Sequence, residues 1–259
     1  MTLLDQDHTT PIDARKFVLA TDLDGTFLGG TDADRTRLYS WIEANRATIG
    51  LIFVTGRDPA FIGELCDSGV PWPEFVIGDV GTTIARVQDR KIVPIETLER
   101  EIAMTWGNSG NRVREALENV PGLTLQPTEF RYRVSYDLDP GAFQDTTTAM
   151  IRDMGYDPLI SDNRFFDVLP RGVSKGPSLR RLVSHLKIAP DTVLAAGDTL
   201  NDLSMLECGL KAVAVGGSEP DLLSRVNSLP QVHKAKAIGA AGILEAVAAN
   251  KMHTTPEGD

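Results

Sequence analysis

Residues 16–26 read KFVLATDLDGT: a run of apolar strand formers that halts at once on two aspartates and a glycine. The run is continuous rather than alternating, as in a parallel strand buried on both faces. Asp22-Leu23-Asp24-Gly25-Thr26 must then be a loop, because Asp and Gly favour turns over strands. The pattern returns downstream. Thr48–Val54 (TIGLIFV) stops at Thr55-Gly56-Arg57, and Glu74–Ile77 (EFVI) at Gly78-Asp79-Val80-Gly81. Thr192–Ala196 (TVLAA) stops at Gly197-Asp198, and Ala212–Val215 at Gly216-Gly217. Helical patterns lie between them: Arg35–Asn45 with Leu38, Trp41 and Ile42 on one face, Pro59–Asp67 with Pro59 suited to a first turn, Lys175–Leu186, Asn201–Glu207 and Gly242–Ala249. Strand and helix in alternation predict an α/β fold, a Rossmann-like doubly wound parallel sheet.

The rhythm changes near Arg86. From there to about Asp167 the chain shows hairpin-like pieces, amphipathic stretches in Ala103–Val120 and Gln144–Met154, and an alternating run at Arg131–Tyr136 (RYRVSY) that suits a sheet with one wet face. Arg164–Leu169 is another candidate strand. The expected organisation is a core of residues 1–85 and 169–259, with an inserted α+β domain at 86–168. Polar tails are expected before Lys16 and from about Met252 onward, the latter disordered, with His8 and His253 lying in them.

The chain has 259 residues, 42% of them hydrophobic and 24% charged, enough to bury a sizeable core. A net charge of −10 argues against nucleic acid or an acidic membrane as partner. Cys66 and Cys208 form no paired motif and read as small buried hydrophobes. The four histidines have no metal-ligand spacing and read as structural. With no apolar leader and no long apolar span, a cytoplasmic protein is expected.

Ligands of open parallel sheets bind beyond the carboxyl ends of the strands. The residues that follow each apolar run therefore share one crevice: Asp22 and Asp24, then Thr55, Gly56 and Arg57, then Asp198, Asn201 and Asp202. Four carboxylates repel one another unless a cation lies among them, and hard oxygen donors without His or Cys favour Mg2+. The expected ligands are Asp22, the backbone carbonyl of Asp24, and Asp198, with Asp202 bound directly or through water. A carboxylate beside magnesium suits phosphoryl transfer. Asp22 is the candidate nucleophile and Asp24 the candidate acid and base. Lys175, at a helix start, would place its ammonium on the phosphate. Thr55 and the Gly56 N–H would hold another phosphate oxygen.

Asp22-Leu23-Asp24-Gly25-Thr26 resembles the DxDGT signature of the haloacid dehalogenase superfamily of phosphatases. Thr55, Lys175-Gly176 and Gly197-Asp198-Thr199-Leu200-Asn201-Asp202 resemble its second, third and fourth motifs, in order. An insertion between the second and third motifs is similar to the superfamily's C2 cap class, type IIB. The resemblance implies an aspartyl-phosphate on Asp22, Asp24 as acid and base, Lys175 as phosphate clamp, and magnesium on Asp22, Asp24 and Asp198. A phosphomutase on the same scaffold, or a non-catalytic sugar-phosphate sensor, are the alternative readings; the second conflicts with four intact motif carboxylates.

Within that class the chain is similar to the sucrose-phosphate phosphatase family, through Thr55-Gly56-Arg57, Gly81-Thr82-Thr83, Leu125-Gln126, Arg133-Val134-Ser135-Tyr136, Asp167-Val168-Leu169-Pro170 and Gly242-Ile243-Leu244-Glu245-Ala246. It departs from the family's common pattern at Leu200 and at Phe27-Leu28-Gly29-Gly30. The resemblance implies a sugar phosphate as substrate, sucrose 6-phosphate or a related disaccharide or glycosyl phosphate, and a glycosyltransferase or synthase of the same pathway as protein partner. Leu23, Gly56, Arg57 and Asn201 in the core, and Gln126, Glu129 and Arg133 in the cap, are the expected substrate contacts. Asn111, Arg112 and Arg131 are further polar candidates, and Trp106 would either stack on a sugar or pack the cap.

Overall fold

The computed structural model describes residues 10–256, so His8 and the last three residues lie outside the described residues. In chain order the core contributes β1 (Phe17–Thr21), α1 (Asp32–Ala44), β2 (Ile49–Val54), α2 (Pro59–Asp67), β3 (Phe75–Gly78), β4 (Thr83–Gln88) and β5 (Lys91–Pro94). The insertion adds α3 (Glu96–Trp106), α4 (Ser109–Leu117), β6 (Leu123–Leu125), β7 (Val134–Leu138), α5 (Thr146–Asp153), β8 (Tyr156–Ser161) and β9 (Phe165–Pro170). The core resumes with α6 (Lys175–His185), β10 (Val193–Gly197), α7 (Leu203–Leu206), β11 (Lys211–Gly216), α8 (Pro220–Val226), β12 (Val232–Ile238) and α9 (Gly239–Ala249).

The stretch at 16–26 supplies the central strand. β1 lies parallel between β10 and β2, with Val18 aligned on Val193 and on Gly50. The eight-stranded sheet has the order β12-β11-β10-β1-β2-β3-β4-β5, and only the β3-β4-β5 edge is antiparallel. Every residue of β1, β2 and β10 is buried. Because neighbouring side chains of a strand point to opposite faces, β1 feeds two cores. Phe17 and Leu19 pack with Leu51, Phe53 and Leu194 beneath α1 and α9. Val18 and Ala20 pack with Ile52, Val54, Val193 and Ala195 beneath α6. Each such buried Val, Leu, Ile or Phe side chain is worth about 1.5–3 kcal/mol of transfer free energy, so apolar runs two-sided in this way fix the sheet.

The cap sheet is antiparallel, in the order β6-β7-β9-β8. Phe166 and Val168 of β9 face its helices, in a core with Trp106, Val113, Leu117 and Ile151. Asp167, between them, points the other way. α3 bridges the two parts: Ile102 belongs to the main core and Trp106 to that of the cap.

Several expectations need correction. The change of rhythm at residue 86 falls inside β4, and the β4–β5 hairpin extends the core sheet to Pro94; the expected return at 169 falls inside β9, a cap strand. The stretch Ala103–Val120 is two helices, interrupted at Gly107, whose φ is +52°. The C-terminal tail is not disordered through residue 256. Trp41 Nε1 donates to the Thr254 carbonyl at 2.8 Å, and His253 bonds Thr48 Oγ1 at 2.9 Å. Among the described residues, no helix is long and apolar enough to cross a membrane. Cys66 and Cys208 are unpaired, and burial pushes the Cys66 thiol up to about 12.

Candidate active site

The carboxyl ends of β1, β2 and β10 meet at one point. Asp22 follows directly on β1, and its N–H donates to the Ala196 carbonyl of β10 at 2.8 Å, which fixes the start of the loop. Asp22 is 5% exposed. Gly25 then turns the chain at φ +79°, and a Cβ there would collide with the Asp198 carboxylate, so only glycine lets the two loops close on one another. Thr26 Oγ1 donates to Asp198 Oδ1 at 2.7 Å.

Lys175, the first residue of α6, is wholly buried. Its ammonium donates to Asp22 Oδ1 at 2.7 Å, Asn201 Oδ1 at 2.6 Å and Asp202 Oδ1 at 2.7 Å. Asp202 is also wholly buried; its Oδ2 accepts the backbone N–H groups of Asp198 at 3.0 Å and Thr199 at 3.1 Å. Asp202 thus shapes the loop that presents Asp198 and anchors Lys175.

Carboxylate oxygens of Asp22, Asp198 and Asp202 all lie within 4.8 Å of one another. Burial raises Asp22 well above the ordinary carboxylate range, with Asp202 and Asp198 adding to it and Lys175 pulling the other way. Burial also pushes Asp198 up to about 7, helped by the Asp202 charge. One ammonium does not balance three carboxylates, two of them buried and Asp198 partly so, and the donor set is all oxygen. The residues therefore fit a divalent cation, which would hold the charged forms that burial disfavours.

Thr55 is buried at the end of β2, and its Oγ1 accepts the N–H of Arg57 at 3.2 Å. Thr55 itself does not line the crevice; the residues after it, Gly56 and Arg57, do. Arg57 clasps Asp24 in a fork: Nε to Oδ2 at 2.9 Å and a terminal nitrogen to Oδ1 at 3.1 Å. Both side chains are about half exposed, so this pair is solvent-screened.

The crevice above these groups has a cavity volume of about 590 Å³. Asp22, Asp24, Gly56, Arg57 and Asn201 line it from the core, as expected from the sequence, and Gln126 and Arg133 from the cap. Gln126 is held by Asp137 at 2.9 Å. The other candidates stand outside the lining. Glu129 is exposed and outside the lining, where its neighbours Thr128 and Phe130 stand instead. The side chain of Leu23 is in the core, so only its backbone can face a substrate. Asn111 and Arg112 are exposed elsewhere on the cap, and Arg131 is tied to Glu99. Trp106 packs edge-on against Tyr156 inside the cap. His233 pairs with Glu245, away from the crevice.

The sequence reading missed the β8–β9 hairpin tip, which brings Ser161, Asp162, Arg164 and Phe165 to the crevice. Its signal was present: Asp162-Asn163 both take φ +50°, the mirror-image turn that Asp and Asn tolerate in two-residue hairpins.

A family model described as sucrose-6F-phosphate phosphohydrolase matches residues 15–250. A glucosylglycerol-phosphate synthase of Pseudomonas anguilliseptica is 41% identical over 231 residues, which cover 88% of this chain and 30% of the synthase. The chain thus spans about a third of that relative's length. A mannosylfructose-phosphate phosphatase of Agrobacterium fabrum is 28% identical, with 88% of this chain and 94% of the relative covered. The fold is similar to that of the sucrose-phosphatase of Synechocystis sp. in complex with sucrose and phosphate, with a TM-score of 0.83 at 24% identity, over 92% of this chain and 98% of the other.

Proposed function

Because this chain belongs to the sucrose-6F-phosphate phosphohydrolase family of haloacid dehalogenase-like hydrolases with a class IIB cap, and is therefore a phosphohydrolase acting on sugar phosphates, we propose that it releases phosphate from a glycosyl polyol or disaccharide monoester through an aspartyl-phosphate on Asp22. The observation that carries this reading is the Lys175-tied carboxylate group at the strand ends, opening into a crevice roofed by polar cap side chains.

In the first half-reaction an oxygen of Asp22 attacks phosphorus and the bond from phosphorus to the sugar oxygen breaks. Asp24, freed from Arg57 and protonated, gives its proton to that oxygen. In the second, water attacks the phosphoryl group, Asp24 takes the proton, and the bond to Asp22 breaks to release inorganic phosphate. Lys175 keeps Asp22 oriented, and the Thr55 hydroxyl and Gly56 N–H hold phosphoryl oxygens. Asp22 and Asp198, with Asp202 behind them, would hold magnesium, which supplies charge neutralisation of the phosphoryl oxygens when bound.

The cap chemistry supports a neutral polyol. Arg133, the buried cation of the crevice, is committed to Asp167, whereas Arg57 is about half exposed and Arg164, 3.8 Å from Asp162 at the rim, is more exposed still. No spare buried cation among the described crevice residues suits a second anionic group. A glycosyl-glycerate phosphate is thereby disfavoured against sucrose 6-phosphate, mannosylfructose phosphate or glucosylglycerol phosphate. The test is release of inorganic phosphate from each of these with magnesium. One neutral ester should exceed the glycerate ester by at least about tenfold in kcat/KM, and Asp22→Asn should abolish release from all of them. Release that persists in Asp22→Asn would remove the nucleophile assignment, and a preference for the glycerate ester would remove the substrate class.

A further inference from the structure

Arg133 stands in the cap, immediately before β7, yet it is 5% exposed and faces the core. One terminal nitrogen donates to Asp167 Oδ1 at 3.0 Å. The other donates to the backbone carbonyl of Gly56 at 3.1 Å. The guanidinium lies 3.6 Å over the ring of Phe130, and Asp79 Oδ1, which has no hydrogen-bond partner of its own, is 3.8 Å away. Ser135 Oγ donates to the same Asp167 oxygen at 2.5 Å, so the carboxylate that holds Arg133 is itself held.

Gly56 is the centre of the loop assigned to the phosphoryl group. A glycine peptide has no side chain to restrain it, and the nearest neighbour of a built Cβ would be Val80 Cγ2 at 3.8 Å. Hydrogen bonds must therefore set its orientation. On one side, the Thr55 carbonyl accepts the N–H of Val80 at 3.1 Å. On the other, the Gly56 carbonyl accepts from Arg133, and the Arg57 N–H of the same peptide donates to Thr55 Oγ1 at 3.2 Å. The turn that contributes Val80 is under strain: Asp79 and Val80 have φ of +53° and +58°, a region β-branched residues rarely adopt. Asp79, beneath Arg133, also donates its N–H to the Arg57 carbonyl at 3.1 Å.

We infer that Arg133 is a positioning residue through which the cap sets the Thr55–Gly56 loop, so that phosphate binding depends on the cap being seated over the core. The sequence reading made Arg133 a sugar contact; its buried guanidinium, committed to a backbone carbonyl and to Asp167, acts on the loop instead. The inference rests on the proposed reading of Thr55 and Gly56 as phosphate holders.

The test compares wild type, Arg133→Met and Arg133→Lys, with magnesium, on the ester that the substrate screen selects and with inorganic phosphate as competitive inhibitor. In Arg133→Met, KM for the ester and Ki for phosphate should rise together by about tenfold or more, the scale expected when a binding loop is misplaced by a fraction of an ångström. The turnover number per folded molecule should change less than KM does. Arg133→Lys should recover part of both constants, since an ammonium can still reach a carbonyl. If Arg133→Met yields little folded protein, Arg133→Met/Asp167→Asn removes both charges of the pair and is read in the same way. Unchanged KM and Ki with activity lost only in proportion to folded protein would overturn the inference, because a merely structural residue would give that result. Failure of wild type to hydrolyse any phosphate ester would instead overturn the phosphatase reading.

Discussion

Lys175 spends all three of its N–H bonds on Asp22, Asn201 and Asp202. A phosphoryl oxygen would reach this ammonium only by displacing one of these acceptors, of which Asn201 is the uncharged one. Removing the ammonium is another matter, since Asp22 and Asp202 would be left buried and without a counter-charge. Lys175→Met should lose about 3–5 kcal/mol of stability in metal-free urea unfolding; a loss under about 1 kcal/mol would mean that the carboxylates are neutral there. Asp24 has the opposite character. It is half exposed and screened, and its clasp by Arg57 contributes little to the fold. Its proposed part is chemical. Because hydrolysis of the aspartyl-phosphate is common to all esters, the first half-reaction is the one to compare: Asp24→Asn should lower the single-turnover rate of sugar release by about 10²–10⁴-fold, and much less that of 4-nitrophenol from 4-nitrophenyl phosphate, whose leaving group needs no proton. An equal loss on both esters would rule out proton donation by Asp24.

At the scale of elements, the active residues sit where regular structure ends, so their placement depends on how each end is held. Ser178 Oγ of α6 donates to the Gly81 carbonyl at 2.7 Å, and a Cβ on Gly81, at φ +103°, would strike the backbone of Ser174 and Lys175. Gly81→Ala should therefore displace the start of α6 and lower kcat/KM as well as stability, by at least about 1 kcal/mol. Thr31→Ala, which breaks a capping box with Asp34 on α1, should lose a similar ~1 kcal/mol in urea unfolding while leaving kcat/KM untouched. The pair separates a cap that serves only the fold from a glycine that also serves the site; equal effects on kcat/KM would refute the distinction. This local logic also explains what the sequence revealed. β1, β2 and β10 were legible because two-sided burial demands unbroken apolar runs, and the residues after them were legible because the strand ends fix where they face. β12, with its alternating Lys234 and Lys236 exposed, carries the half-wet pattern of an edge and was read as no strand. The crevice side of the cap was illegible for a different reason. Which of Thr128, Glu129 and Phe130 faces the core is decided by the docking of a whole sheet, and no neighbour in sequence records it.

Across the whole molecule, the two domains close a polar cleft over crowded like charges, and this sets an unusual dependence on pH. Burial raises Asp22, and raises Asp198 to about 7, from an ordinary value of 3.8. A carboxylate whose folded value lies above its unfolded one binds more protons when folded. Its contribution to stability is complete below the unfolded value and is lost as pH rises through the folded one. In chelator, the thermal midpoint should therefore fall between pH 5 and pH 8. The carboxylates held low by hydrogen bonds, Asp34 with Thr31 and Glu245 with the Ala237 N–H, titrate below that window and do not mask the trend. Saturating magnesium should reverse it, because a cation binds the ionised carboxylates and so stabilises the fold more as protons leave. Asp198→Asn should flatten the slope in chelator and remove most of the magnesium effect. A midpoint in chelator that climbs from pH 5 to pH 8, equally in wild type and in Asp198→Asn, would mean that the carboxylates are not forced together in the folded chain, and the argument for a cation between the loops would lose its physical basis.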